Sequence, residues 1–461
     1  MKIRFDASFL SGRSVRDVAT FERLYRSILV TLTFPIVIVG AGPAGLWLAA
    51  HLARRGVELA IVDAQLDMPW PNTYGVWRDE LEGLEIEVPT LATFDQACVW
   101  LHPTRPTPLD RAYVRVDPEA FRERLRDELR THGATLISES AGAVSQEVAG
   151  APLRLNLEGG RTLEARAIMD ATGRGFLRHR AGAAVGADPT PPEAPGVQSA
   201  LGWLARFERD PLEGHPFVMM DFRPPPTSGA DQTPTFLYGM HLGEDLYFVE
   251  ETALVTREPL PFDALETRLR ARLNERGALP TEILEVEHCL IPMGGELPGL
   301  EEGAPPIVAF GAAAGFVHPA TGYSLAHSLR TGAPLADLLT EALKRELPPE
   351  DIARSALGLM WPPPARRARA LYELGQEAVL EMNTTRLTAF FDTFFSLPDA
   401  DWQGYMAATL PPSRLAAVMW RVFGQATNPL RLHLARHALR VAPKTLQTMF
   451  NSSSKPGGST P

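Results

Sequence analysis

Gly40, Gly42 and Gly45 stand in G-x-G-x-x-G spacing, with Pro43 and Ala44 completing a turn between the apolar run Phe34 to Val39 and a helical segment. The chemistry of such a turn is done by backbone. Gly40 permits the sharp reversal, Gly42 lets the main chain approach a pyrophosphate, and Gly45 lets the helix lie close to the strand. The N–H groups at the helix start then face an anion. Asp63 ends the next apolar run, Glu58 to Val62, where a carboxylate can accept hydrogen bonds from an adenosine ribose. Strand, glycines, helix, strand and acid in register predict dinucleotide binding.

Other candidates lie far from that turn in sequence. Arg115 can reach a nucleotide phosphate or an isoalloxazine edge, or serve as a surface salt-bridge partner. The run Ala167 to Gly173 reads as a strand that brings Gly173 back toward the nucleotide. Gly311 follows the buried strand Ile307 to Phe310 and opens a turn of small residues reaching Gly322 and Tyr323. That turn predicts a second helix start whose backbone meets a ligand. Trp70, Tyr74 and Trp77 fall in a segment, Met68 to Trp77, too rich in proline and aromatics for a regular element. It reads as a loop whose rings line an apolar pocket or pin the loop to the core.

The elements that must position these residues follow from local signals. The first helix closes at Gly56. Asp117 is a natural N-cap and Pro118 a first-turn proline, so a helix runs to about Thr131. Leu153 to Leu157 and Thr162 to Ile168 form a hairpin around Gly159-Gly160. Val197 to Leu204, Phe217 to Phe222, Thr235 to His241 and Leu246 to Leu254 predict a separate antiparallel sheet, whose last strand carries Phe248, Glu250 and Glu251. Asp263 with Glu266 reads as a capping box before Leu265, Leu269 and Leu273. Ile291 to Pro298 reads as a tight irregular turn, and a helix follows Tyr323 through Leu339. From about Pro348 to Arg440 the pattern is helical, and Phe390, Phe391, Phe394 and Phe395 read as core.

The chain has 461 residues, of which 45% are hydrophobic, enough for two or three domains. A formal charge of −10 argues against nucleic acid. Cys98 and Cys289 fit no metal-ligand spacing and suggest a reducing compartment, so no metal site is expected. No segment reads as a transmembrane helix. Val15, Val18, Phe21, Leu24 and Ile28 recur at helical spacing among arginines. That segment has three readings: a basic amphipathic helix on a membrane surface, a packing helix, or a non-native leader.

Five motifs, in this order, carry a resemblance: Tyr74-Gly75-Val76-Trp77, Phe217 to Arg223, Phe248-Val249-Glu250-Glu251-Thr252, Ile291-Pro292-Met293-Gly294-Gly295, and His318 to Tyr323. With the glycine fingerprint, Arg115 and the stretch from Thr385 to Phe395, the sequence resembles the flavoprotein lycopene cyclases of the plant and cyanobacterial type, over roughly 34–440. Val249 stands where that family usually has leucine. Ala312 stands where related hydroxylases carry an aspartate, which argues against hydroxylase chemistry.

The resemblance implies an α/β fold: an FAD-binding Rossmann-like domain, a second antiparallel-sheet domain for substrate, and a helical C-terminal part. The expected limits are 34–76, 113–185 and 289–345 for the first, 77–112 and 186–288 for the second, and 346–445 for the third. Residues 1–33 are expected as an N-terminal leader or helix and 446–461 as a disordered tail. It further implies acid-initiated, redox-neutral cyclisation of lycopene ψ ends to β-ionone rings, in γ-carotene, β-carotene or both. Reduced FAD is required, with NAD(P)H or another donor as its reductant. The proton would come from Glu250 or Glu251, since a carboxyl among aromatics stays protonated. Consecutive strand residues face opposite sides, so only one can reach substrate; Glu250 is preferred because Phe248 shares its face. Tyr74, Trp77, Phe248, Met293 and His318 would line the pocket, and Trp70, Tyr74 and Trp77 would stabilise the cation through their rings. Partners would be carotenes and a membrane surface, with the protein cytoplasmic and peripheral. A flavin monooxygenase, a prenyl-chain reductase and a non-enzymatic prenyl-binding protein are the alternatives on the same scaffold.

Overall fold

A computed structural model of the chain describes residues 3–4, 31–173, 175, 177, 196–225 and 233–451. The amphipathic pattern of 15–28 lies outside them. In chain order the first elements are β1 (Ile3–Arg4), β2 (Thr31–Val39), α1 (Pro43–Arg54) and β3 (Leu59–Val62). The apolar run is longer than Phe34 to Val39 because β2 begins at Thr31, inside the expected leader. There follow β4 (Gly75–Trp77), β5 (Thr90–Phe94), β6 (Ala97–Trp100), β7 (Thr107–Leu109) and β8 (Tyr113–Val116). Helix α2 (Pro118–Thr131) starts as its sequence predicts, with the Asp117 carboxylate accepting from Ala120 N at 3.0 Å. Then come β9 (Thr135–Ile137), β10 (Ala141–Gln146), β11 (Leu153–Leu157) and β12 (Thr162–Asp170).

These build an eight-stranded sheet. Its centre, β12–β2–β3–β9, is parallel, and the hairpin β11–β12 extends it through β10. Parallel strands are covered on both faces, which is why Ile36, Val37, Ile38, Leu59, Ala60 and Ile61 are all fully buried. Helix α1 lies on one face, burying Trp47, Leu48 and Leu52.

The second sheet takes β13 (Gly196–Phe207), β14 (Phe217–Asp221), β15 (Phe236–Gly243) and β16 (Leu246–Thr256). Helix α3 (Phe262–Glu275) precedes β17 (Pro280–Met293), and β18 (Val308–Ala309) returns to the first sheet beside β12. The order of the second sheet is β17-β13-β16-β15-β14-β6-β7, seven strands rather than four, with β14–β6 parallel. Helix α3 covers one face with Leu265, Leu269 and Leu273. Pro261, not Asp263, takes its cap position; Asp263 sits inside the first turn and accepts from Ala264 N, so the capping box does not form. The strand β17 runs through the expected boundary at 288/289, and β4 pairs with β8 across the one at 76/77.

The remainder is helical: α4 (Leu325–Lys344), α5 (Pro349–Met360), α6 (Pro363–Leu380), α7 (Thr384–Phe395), α8 (Asp399–Met406), α9 (Pro412–Gln425) and α10 (Asn428–Asn451). Helix α10 extends into the stretch expected to be a disordered tail; 452–461 lie outside the described residues. The architecture is α/β, a parallel-centred nucleotide fold joined to a largely antiparallel sheet and a helical C-terminal part. Among the described residues no helix is long and apolar enough to cross a membrane.

Candidate active site

The glycine turn joins β2 to α1. Gly40 has φ +107°, and a Cβ there would lie 2.5 Å from the Ala171 carbonyl oxygen, so only glycine fits. At Gly42, by contrast, a Cβ would meet nothing within 4 Å: the backbone faces open space. Asp63 secures the turn from β3, its Oδ2 accepting from Ala41 N at 2.6 Å and its Oδ1 from Gln65 N at 2.7 Å. Trp70 Nε1 donates to Ala41 O at 2.9 Å, which ties that ring to the turn. Gly311 abuts the same helix, since a Cβ on it would fall 2.6 Å from the Ala44 Cβ.

Between the two sheets and the C-terminal helices lies a cavity of about 710 Å³. Thr172, Gly173, Ala312 and Gly322 border it from the nucleotide fold, and Tyr74 from the loop before β4. Phe248, Glu250 and Thr252 of β16 border it from the second sheet. Phe390, Phe391, Phe394 and Phe395 of α7 close the far side, so a cluster expected as plain core is also cavity wall.

Glu250 and Glu251 part company here. Glu250 faces the cavity, accepting a hydrogen bond from the Thr252 hydroxyl. Burial, and then the neighbouring Glu287 carboxylate, push its pKa up to about 8. Glu251 faces α3 instead. It is fully buried and accepts Arg272 Nε and Nη2 at 2.9 Å each. Its expected catalytic role is therefore corrected: the strand's alternation turns it into a structural ion pair on the opposite face.

Arg115, on β8, is 8% exposed, with its guanidinium 5.4 Å above the Phe248 ring. Its Nη2 reaches Thr73 Oγ1 at 3.5 Å, while Nε and Nη1 have no hydrogen-bond partner. Burial depresses its pKa, so this cation is held dry. Glu287, on β17, accepts from Thr73 N at 3.0 and 3.1 Å through its two oxygens.

Three residues expected in the pocket are not on its wall. Trp77 is fully buried behind Tyr113, edge-on at 5.0 Å and with Arg111 4.8 Å over its ring. Met293, at the end of β17, is likewise fully buried, and its carbonyl accepts from Gln376. His318 lines a separate cavity of about 260 Å³. Its Nδ1 accepts from Ala320 N, so Nε2 carries the hydrogen and donates to Tyr405 O. Burial and then Arg369 push its pKa down to about 3, so it stays neutral. Trp70 and Trp77 thus face no cation in the cavity, and Tyr74 alone of the three borders it. Sequence reasoning missed Glu287, Tyr238 and the wall-forming role of the phenylalanines; only the carboxylate spacing Glu285-x-Glu287 in β17 hinted at a strand face.

The model of the family described as lycopene cyclase protein matches residues 35–432. A lycopene beta cyclase of Synechococcus elongatus is 33% identical, over 86% of this chain and 95% of its own length. An uncharacterized carotenoid cyclase of Deinococcus radiodurans is 35% identical, over 88% and 93% respectively. A capsanthin/capsorubin synthase of Citrus sinensis is 32% identical, over 92% and 84%. Among solved structures, a geranylgeranyl bacteriochlorophyll reductase-like protein of Thermoplasma acidophilum superposes with a TM-score of 0.62 at 14% identity, covering 92% of this chain and all of that one. That last likeness is one of fold.

Proposed function

The chain belongs to the lycopene cyclase family, and from that premise we propose that it closes the ψ ends of lycopene into β-ionone rings. The observation that carries the mechanism is Glu250, a carboxyl on the wall of an apolar cavity with its pKa pushed up to about 8. At neutral pH it holds a proton and has a dry, aromatic-lined space in which to deliver it. Glu250 protonates the terminal alkene. The tertiary cation is attacked by the neighbouring double bond, and a second proton leaves, so nothing is oxidised overall. Phe248 and the α7 phenylalanines exclude water from the cation, and the Tyr74 ring adds its π face.

FAD suits the residues present. The open backbone at Gly42, the start of α1 behind it and Asp63 fit a dinucleotide, and the unpartnered Nε and Nη1 of Arg115 fit a ring or phosphate oxygen. When bound and reduced, the flavin would supply negative charge to stabilise a cation. One dinucleotide fingerprint leaves no second resident site in the sequence, so NAD(P)H as reductant would dock transiently. Membrane association, peripheral and from the cytoplasmic side, is supported by the C-terminal stretch. Asp401 pairs with Arg414 and Arg421, and no acid follows it, while Arg431, Arg436, Arg440 and Lys444 do. Trp420, Leu432 and Leu439 are 73%, 55% and 79% exposed there. Basic residues beside exposed apolar ones suit an anionic bilayer, where a C40 hydrocarbon resides.

Expression in a lycopene-accumulating host tests the reading. Conversion of the red pigment to γ- or β-carotene is expected; unchanged lycopene in cells holding flavin-loaded protein would overturn it.

A further inference from the structure

Glu250 does not stand alone on its face of the sheet. On β13, Gly202 pairs with Glu250 of β16 on one side and with Glu287 of β17 on the other. Paired residues point the same way, so both carboxyls rise from one face, two strand spacings or about 10 Å apart at the backbone. Gly202 leaves the space between them to the Phe248 ring, because a Cβ there would fall 2.6 Å from Phe248 Cζ. Both carboxyls border the same cavity.

Their surroundings differ. Glu250 is met by the Thr252 hydroxyl, which can pair with either protonation state. Glu287 is met by the Thr73 N–H, a donor only, which favours the carboxylate. Burial raises the Glu287 pKa above the ordinary carboxyl value, and the Thr73 contacts and Arg115 offset only part of that rise. The other groups around the pair are Tyr238 on β15, Tyr74 before β4, and Glu285 and Cys289 on β17. Tyr238 is held neutral by burial, and burial pushes the Cys289 thiol up to about 12. Arg115 is the one cation these surroundings bring to the pair among the described residues.

Resting on the reading of Glu250 as the acid, we propose that Glu287 is its ionised partner, a positioning residue whose fixed negative charge keeps the proton on Glu250 until substrate takes it. A negative charge across the same cavity disfavours a second one, so the Glu287 carboxylate holds the Glu250 pKa up. The asymmetry of donors puts the proton on Glu250.

The test is the pH–rate profile of the flavin-loaded enzyme with lycopene in vesicles. Wild type should lose rate as pH rises through about 8. Glu287→Gln should shift that limb downward by about one pH unit, roughly a fivefold loss at pH 8 and approaching tenfold above pH 9, with near-normal rate at pH 6. A uniform loss at every pH, or no change at all, would overturn the proposal. Infrared titration of protonated carboxyls decides independently, should Glu287→Gln fail to fold. In Glu250→Gln the band should be absent at pH 7; its persistence would make Glu287 the proton holder and overturn the assignment. Should Glu250→Gln keep full cyclisation, the fault lies with the acid assignment itself.

Discussion

Glutamine at position 251 removes one charge from an ion pair that water does not reach. Glu251 is fully buried and Arg272 2% exposed, and the two share a pair of 2.9 Å hydrogen bonds. Glutamine keeps one acceptor oxygen but turns an N–H₂ toward an Arg272 N–H, so one bond is lost and the buried guanidinium keeps only its bond to Arg223 O and the charge of Asp221. Breaking a buried pair in this way costs about 3–5 kcal/mol. Unfolding entropy of about 2 cal/mol/K per residue makes roughly 1 kcal/mol/K for the whole chain, so Tm should fall by about 3–5 °C. Differential scanning calorimetry of flavin-loaded protein measures that drop. Turnover per folded molecule should stay close to wild type, because the pair lies on the sheet face away from the cavity. Replacing both partners by leucine and methionine should recover much of the loss, since apolar residues of similar volume carry no unpaired charge. A Glu251→Gln protein with wild-type Tm and dead chemistry would refute the assignment of the two faces.

Glu250→Gln should lower cyclisation by about 10²–10⁴-fold with flavin content unchanged. Its folded pKa is raised, so wild type loses stability as pH climbs from the ordinary carboxyl range through about 8, and Glu250→Gln should abolish that slope in urea titrations at pH 5 and 9. Gly42→Val should fold as well as flavin-free wild type, because its Cβ meets nothing within 4 Å, yet purify colourless. Trp420→Ala with Leu432→Ser should weaken flotation with anionic vesicles severalfold and leave turnover in detergent unchanged.

Whether a residue's place could be read in advance depended on whether its signal was local. The glycine turn was legible because strand, turn and helix are fixed by neighbours in sequence, and the Asp117 cap for the same reason. Asp263 misled because Pro261 begins the helix earlier, leaving the acid one step inside. Strand β17 was missed because it lies at a sheet edge: both faces are partly wet, and polar and apolar residues alternate only over Leu284 to Glu287. The phenylalanines of α7 have one helical spacing whether they pack on a core or wall a cavity. Trp77, Met293 and His318 belong to motifs whose spacing says nothing about which side of a wall a ring ends up on. The split between Glu250 and Glu251 was legible as a split, and Phe248 pointed to the side.

Helix α1 begins without a side-chain cap among the described residues, with glycine before it, proline first, and no acid in its opening turn. Folding therefore leaves that end wanting an anion, and the ligand completes it. A chain in this condition has a stability set partly from outside. Each tenfold rise of free dinucleotide above its Kd adds about 1.4 kcal/mol against unfolding. In a cell, molecules made faster than flavin is supplied would be the first taken by proteases. The amount of enzyme that survives should then track flavin supply, so that pigment output is metered by vitamin status before any change in transcription.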